Sequence, residues 1–189
     1  YYTGTITISS EMAAVVTDPG YYTISSFSSW GVPGDLSMKP EISAPGGSIY
    51  SVNGSNNAGG GVDQYELMSG TSMAAPQITG LTAVLKRYIE LNSLNNTSLT
   101  DRGLAQSLLM STATPMVDAD GYLYSVMQQG AGLANVDNAI HADTCIIMGS
   151  DATKSAADGK VKAELGDDPN KTGVYSFSFT MKNLTKKNV

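Results

Sequence analysis

Residues 70–76 read Gly-Thr-Ser-Met-Ala-Ala-Pro, and the hydroxyl of Ser72 is the group in this chain best placed to do chemistry. The serine stands at a turn that opens an apolar, helix-spaced stretch, where the first helical turn leaves backbone N–H groups unpaired. Those groups, and the positive end of the helix dipole, favour negative charge such as the oxygen of a tetrahedral acyl-transfer intermediate. Gly70 allows a tight turn, and Ala74 and Ala75 are small enough for close approach to a substrate or a neighbouring element. Pro76 has no N–H, so the Ser72 carbonyl lacks its helical partner. The chemistry on offer is that of a serine nucleophile. Such a hydroxyl needs a base to take its proton, and the base needs an orienting carboxylate. The single histidine, His141, follows the serine in Asn138-Ala139-Ile140-His141-Ala142-Asp143. It is read as an ordinary histidine after a short helix in preference to a rearranged general base.

The elements that would position Ser72 can be read from periodicity. From Ser72 onward Ala74, Ile78, Leu81, Leu85 and Tyr88 recur at helical spacing, with Val84 and Ile89 widening the stripe. A helix this apolar is expected to be buried against a sheet while aiming Ser72. Ile42, Pro45 and Gly46 suggest a short buried strand ending in a turn, and residues 53–61 a Gly/Ser/Asn-rich surface loop. That loop lacks the Lys-Ser/Thr ending of a phosphate-binding loop. Thr100 is expected to cap a second helix carrying Leu104, Leu108 and Met110, and Asn135 a short last one carrying Val136, Ala139 and Ile140. Asp118-Ala119-Asp120-Gly121 reads as a polar turn, since the remaining ligands of a calcium loop are missing.

The two ends have a different character. Residues 1–22 carry the alternation Thr3-Gly4-Thr5-Ile6-Thr7-Ile8 and a second candidate strand, Met12 to Val16, closed by the turn signal Asp18-Pro19-Gly20. From about residue 143, Val161, Ala163 and Leu165 alternate with polar residues. Tyr175, Phe177, Phe179 and Met181 then share one face of an expected half-buried strand.

Composition narrows the function class. Apolar residues make up 41% of 189, enough for a core, and the formal charge of −6 offers no basic patch, so no nucleic-acid partner is expected. No run is long enough to span a membrane. The lone Cys145 rules out an internal disulfide framework. No cofactor and no metal-ligand set is read from the sequence.

The heptapeptide 70–76 resembles the serine motif of the subtilisin-like proteases. Phe27-Ser28-Ser29-Trp30-Gly31 followed by Lys39-Pro40-Glu41-Ile42-Ser43-Ala44-Pro45-Gly46 resembles the stretch before that serine. Leu109-Met110-Ser111-Thr112-Ala113 and Gly130 to Val136 resemble the segments that close the catalytic domain. The Phe-Ser-Ser-Trp-Gly variant looks most like the lactocepin-type cell-envelope proteinases of Gram-positive bacteria. Gln77 departs from the His of many relatives, at a position the family does not use catalytically.

The resemblance implies an α/β fold, the C-terminal part of a three-layer parallel-sheet catalytic domain over residues 23–142. Residues 1–22 would be exit strands of an inserted, protease-associated domain or a linker, and 143–189 the first strands of a fibronectin-like β-sandwich. It implies a serine-type endopeptidase with Ser72 as nucleophile, the Ser72 backbone N–H in the oxyanion site, and Gly70 and Thr71 beside the substrate. Partners would be protein or peptide substrates and the rest of the same protease chain, at a secreted or cell-surface location. The family's Asp and His precede its serine, whereas no histidine precedes Ser72 here. Its oxyanion asparagine is not assigned to Asn53, Asn56 or Asn57, which lie in the polar loop. The expectation is therefore a piece of a longer protease, inactive and poorly stable alone. Two other readings are a sedolisin-like acid peptidase, which pairs a Gly-Thr-Ser core with acidic residues, and a catalytically dead cell-surface binding module.

Overall fold

The computed structural model describes residues 23–52, 65–94 and 97–185. The expected strands within 1–22 and the loop at 53–61 lie outside the described residues. Among the described residues, two short antiparallel sheets, four α-helices and one 3-10 turn (Ala156–Asp158) make up the regular structure. Strand β1 (Ile49–Val52) pairs with β2 (Tyr65–Met68), with Ser51 opposite Glu66 and Ile49 opposite Met68. Helix α1 (Thr71–Leu91) follows after a turn at Ser69 and Gly70, and α2 (Asp101–Ser111) lies against it. Two short helices, α3 (Val126–Gln129) and α4 (Val136–Ile140), precede β3 (Thr144–Met148), which pairs with β4 (Phe179–Asn183).

Local chemistry explains the helix starts. The Thr100 hydroxyl accepts from the Gly103 N–H at 3.1 Å, and Asn135 Oδ1 accepts from the Asn138 N–H at 3.0 Å. Each satisfies a donor that the first helical turn leaves open. Both caps fall where the sequence places them. Thr100→Ala is expected to lower stability by about 1 kcal/mol, read as an earlier urea midpoint; an unmoved midpoint would mean that water replaces the cap.

The core lies between α1, α2, α4 and β3. Leu85, Ile89, Leu104 and Leu108 are fully buried there, with Cys145 of β3 beside them. Burial pushes the Cys145 thiol pKa up, which keeps it protonated and apolar in character. Ser107 of α2 donates to the Ile146 carbonyl at 2.6 Å and ties β3 to the helix layer.

Two expectations are corrected. Helix α1 packs on α2 and α4 rather than against a sheet, and of its 21 residues Leu85 and Ile89 are the ones buried. Its stripe is wider than the neighbours available among the described residues, so the first half stays open. Tyr175, Phe177, Phe179 and Met181 are all exposed, and the strand is confined to 179–183. A buried face needs an opposing layer, and none covers these rings among the described residues. Residues 161–165 form no regular strand, and Val161, Ala163 and Leu165 are all half-buried. Lys162 points inward, its side chain only 4% exposed, because carboxylates wait for it there.

The segment before α1 has little regular structure and is held by backbone ladders. Ser43 forms a parallel bridge with Leu133, with Ser43 N–H to Gly132 O and Ala134 N–H to Ser43 O both 2.9 Å. Leu133 bridges Thr114 on its other side. This is the strand-like contact that Ile42 foreshadowed, reduced to one bridge. Gly130, at φ 62°, comes so close to the Glu41 carbonyl that a Cβ would collide with it.

Candidate active site

Ser72 is the second residue of α1, so its backbone N–H lies outside the helical hydrogen-bond ladder. Side chains cap the other three helices, through Thr100, Ser125 and Asn135. Helix α1 is capped by Gly70, which has no side chain, and its first turn carries no acidic residue. The positive end of the longest helix is therefore left open at the serine. A developing oxyanion placed there would meet both N–H donors and the helix dipole.

Backbone contacts fix the turn that delivers the serine. Gly70 N–H donates to the Gly46 carbonyl at 2.7 Å, and Met73 N–H to the Gly70 carbonyl at 3.0 Å. A Cβ on Gly46 would stand 2.7 Å from the Gly70 oxygen, too close for any L side chain. The Gln77 amide reaches across from the next turn of α1 and donates to the Pro45 carbonyl at 2.7 Å. The segment Pro45–Gly46 is thus clamped to the start of α1 at two points. Sequence reasoning gave Gln77 no role. Its place on the helix face one turn beyond Met73, opposite a Pro-Gly segment, was the available signal.

The serine motif divides between two concavities. Ser72, Met73, Pro76 and Gln77 line a cavity of about 400 Å³ whose far wall is the β1–β2 hairpin. Thr71, Ala74 and Ala75 face a wider cleft of about 1240 Å³ bounded by residues 23–48, including Phe27, Trp30 and Gly46. Gly70 forms the turn between them. The small side chain of Ala74 does allow a close approach, that of Gly46.

His141 lines neither space. It caps the end of α4, with Nδ1 2.9 Å from the Asp137 carbonyl oxygen and 3.3 Å from Asp137 Oδ1. The structure places it as the histidine closing a short helix. Asp118 likewise forms a turn, its Oδ1 accepting from the N–H groups of Asp120 and Tyr122. Among the described residues there is no cluster of three or more His, Cys, Asp or Glu side chains that could hold a metal ion, and no helix long and apolar enough to cross a membrane.

An ionic cluster lies behind the Pro45–Gly46 segment. Glu41 contacts Lys39, lies 2.8 Å from Lys160 Nζ and 3.7 Å from Lys162 Nζ. Lys162 also meets Glu164 at 2.8 Å and the Met38 carbonyl at 3.1 Å. Partial burial would push the Glu41 carboxyl up, but hydrogen bonds from Lys160 and Lys39 outweigh it and hold the pKa at about 2. Burial acts on Glu164 in the same upward sense and is likewise overcome, here by Lys162 and Thr153.

Comparison with known proteins shows the family of the chain. The chain is 35% identical to the PII-type proteinase of Lacticaseibacillus paracasei, over 83% of this chain and 8% of that protein. It is equally similar, with the same coverage, to the PI-type proteinase of Lactococcus lactis subsp. cremoris. To the C5a peptidase of Streptococcus pyogenes serotype M18 it is 38% identical, over 70% of this chain and 11% of that protein. The chain thus spans about a tenth of the length of these relatives. Residues 2–180 match the Subtilase family as a whole. With a family match over nearly its full length, the chain belongs to the subtilase family, whose catalytic domain has an α/β fold.

Proposed function

We propose that this chain supplies the nucleophile-bearing part of a serine-type endopeptidase that hydrolyses peptide bonds of protein substrates, with Ser72 as the nucleophile. The observation that carries the reading is the open N-terminus of α1 at Ser72, facing a cavity, in a helix whose cap position holds glycine. Ser72 Oγ attacks the peptide carbonyl, and the Ser72 N–H helps hold the oxyanion as the tetrahedral intermediate forms. The amine leaves with a proton, and water then hydrolyses the acyl-enzyme. Gly70 and Thr71 border the substrate on the side of the wider cleft.

The proton-accepting histidine, its carboxylate and the second oxyanion donor come from sequence outside these residues. His141 is occupied at the end of α4, which supports that division. The exposed side chains of Trp30, Tyr50 and Leu67 fit coverage by such sequence. Residues 23–142 form the catalytic part, 1–22 the exit strands of an inserted domain or linker, and 143–189 the start of a fibronectin-like β-sandwich. In this division β3 and the lysines at 160 and 162 fasten that start to the catalytic part. A secreted or cell-surface setting follows from the resemblance to envelope proteinases.

The test is labelling with a fluorophosphonate. The full-length protein is expected to take one adduct, mapped to Ser72, and residues 1–189 alone to take none. An adduct elsewhere in the full-length protein would sink the assignment. Labelling should also register the Gln77 clamp. Gln77→Ala is expected to slow the reaction roughly five-fold, the worth of one hydrogen bond of about 1 kcal/mol. Gln77→Glu should slow it more, because it sets an acceptor against the Pro45 carbonyl. Equal rates for all three would show that the clamp does not position the serine.

A further inference from the structure

One buried amide holds a wall of the wider cleft, and the peptidase reading gives it no role. Gln129, the last residue of α3, is only 4% exposed. Its Oε1 accepts from the Met116 N–H at 2.7 Å, and its Nε2 donates to the Tyr124 carbonyl at 2.7 Å and to the Met116 carbonyl at 3.3 Å. Met116 and Tyr124 form the base of a small turn. The Tyr124 N–H donates to the Met116 carbonyl at 3.1 Å, and Val117 bridges Leu123 one residue further along each arm. The amide thus closes that base much as a third strand would, pairing both backbone groups of Met116. The backbone carbonyl of Gln129 in turn accepts from the Ser43 hydroxyl at 3.0 Å. One residue therefore ties the turn at 116–124 to the segment that leads to the serine motif.

Met116 and Ser43 both line the cleft that Thr71, Ala74 and Ala75 also border, while Gln129 stands behind that lining. An apolar side chain of similar length would fill its space without needing partners, whereas a buried amide costs free energy unless its groups are paired. With its oxygen and its amide nitrogen engaged by Met116 and Tyr124, Gln129 fixes where Met116 stands and does more than fill the interior. The serine turn is held by other bonds, from Gly70 to the Gly46 carbonyl and from Gln77 to the Pro45 carbonyl. Placement of the cleft wall and placement of the nucleophile are thus separable.

We propose that Gln129 is a positioning residue for substrate binding, which sets, through Met116 and Ser43, the wall of the wider cleft along which a peptide substrate lies beyond its scissile bond. The proposal rests on Ser72 being the nucleophile, with the substrate passing Thr71 into that cleft. What Gln129 controls is affinity for long substrates, and the chemical step is left to Ser72. Losing such a contact raises KM and leaves kcat in place.

The experiment uses the full-length protein, titrated with a fluorophosphonate so that every rate is counted per competent Ser72. Gln129→Met keeps the length of the side chain and removes its hydrogen bonds, and Gln129→Asn keeps the amide but is one methylene short. Gln129→Met is expected to raise KM for a long peptide on the order of ten-fold, the worth of about one well-made hydrogen bond, with kcat within about two-fold of wild type. Gln129→Asn should move KM in the same direction by less. KM for a short ester that reaches only Ser72 should keep its wild-type value in both variants. A role in stability alone would lower the titre of competent sites and leave the KM of the remainder untouched, and that pattern overturns the proposal. So does a KM that rises equally for the short ester, or a complete loss of labelling in both variants, which would make Gln129 a support of the whole fold. Absence of an adduct at Ser72 in the wild type overturns the peptidase reading instead, and this proposal with it.

Discussion

Ser72→Ala in the full-length protein is expected to lower kcat for peptide hydrolysis by about a million-fold, the size of loss that follows removal of the nucleophile from a Ser-His-Asp triad. At 1.36 kcal/mol per factor of ten, that is about 8 kcal/mol of barrier. A residual acceleration of about a thousand-fold or more over water should survive, because the N–H groups at the start of α1 remain and can still polarise a bound carbonyl. The neighbouring Ser69 supplies the control. Its hydroxyl accepts from the Ser48 N–H at 2.8 Å and so holds the entry to β1. Ser69→Ala should lose activity only as far as it loosens that turn, by about ten-fold at most for one hydrogen bond of this kind. Single-turnover kinetics of both variants decide the matter. Loss of less than a hundred-fold in Ser72→Ala, or a comparable collapse in both, would remove Ser72 from the role of nucleophile.

The parts of this site that could be read from sequence are those set by local rules. The start of α1 followed from a glycine, a serine and a proline within seven residues, and α2 and α4 from their apolar spacing and the caps Thr100 and Asn135. The β1–β2 hairpin was not read, because each strand has four residues and Tyr65-Glu66-Leu67-Met68 resembles the beginning of a helix as much as a strand. Strand β3 was missed for a different reason. Its Cys145-Ile146-Ile147-Met148 run has no alternation, and its burial depends on α2 lying above it. The inward lysine of the segment 160–164, Lys162, was not read either. Lysines are expected outside, and only the three-dimensional position of Glu41, about 120 residues earlier in the chain, makes the inward face the favourable one.

That cluster carries the second large effect. Glu41→Gln is expected to destabilise the native state by about 2–3 kcal/mol at neutral pH, since it leaves Lys160 and the nearly fully buried Lys162 short of an anion. Lys162 keeps Glu164 at 2.8 Å, which holds the loss below that of a fully orphaned charge. The effect must depend on pH in one direction. The folded pKa of Glu41, about 2, lies below its ordinary 4.5, so its ionised form is favoured by folding. Its stabilisation is complete above about pH 4.5 and is lost as pH falls through 2. Wild type and Glu41→Gln should therefore differ most in urea midpoint near pH 7 and converge as the pH falls through 2 and the wild-type carboxyl becomes protonated and resembles the amide. A pH-independent gap would assign the loss to packing rather than charge. The two changes also touch function differently. Glu41 begins the stretch Glu41–Gly46 that ends against Gly70 and Gln77, so loosening the cluster frees the backbone that holds the serine turn. Glu41→Gln is accordingly expected to slow fluorophosphonate labelling of the full-length protein at pH 7, with Ser72 itself unaltered. Full labelling speed in a destabilised variant would confine the cluster to stability and separate it from the site.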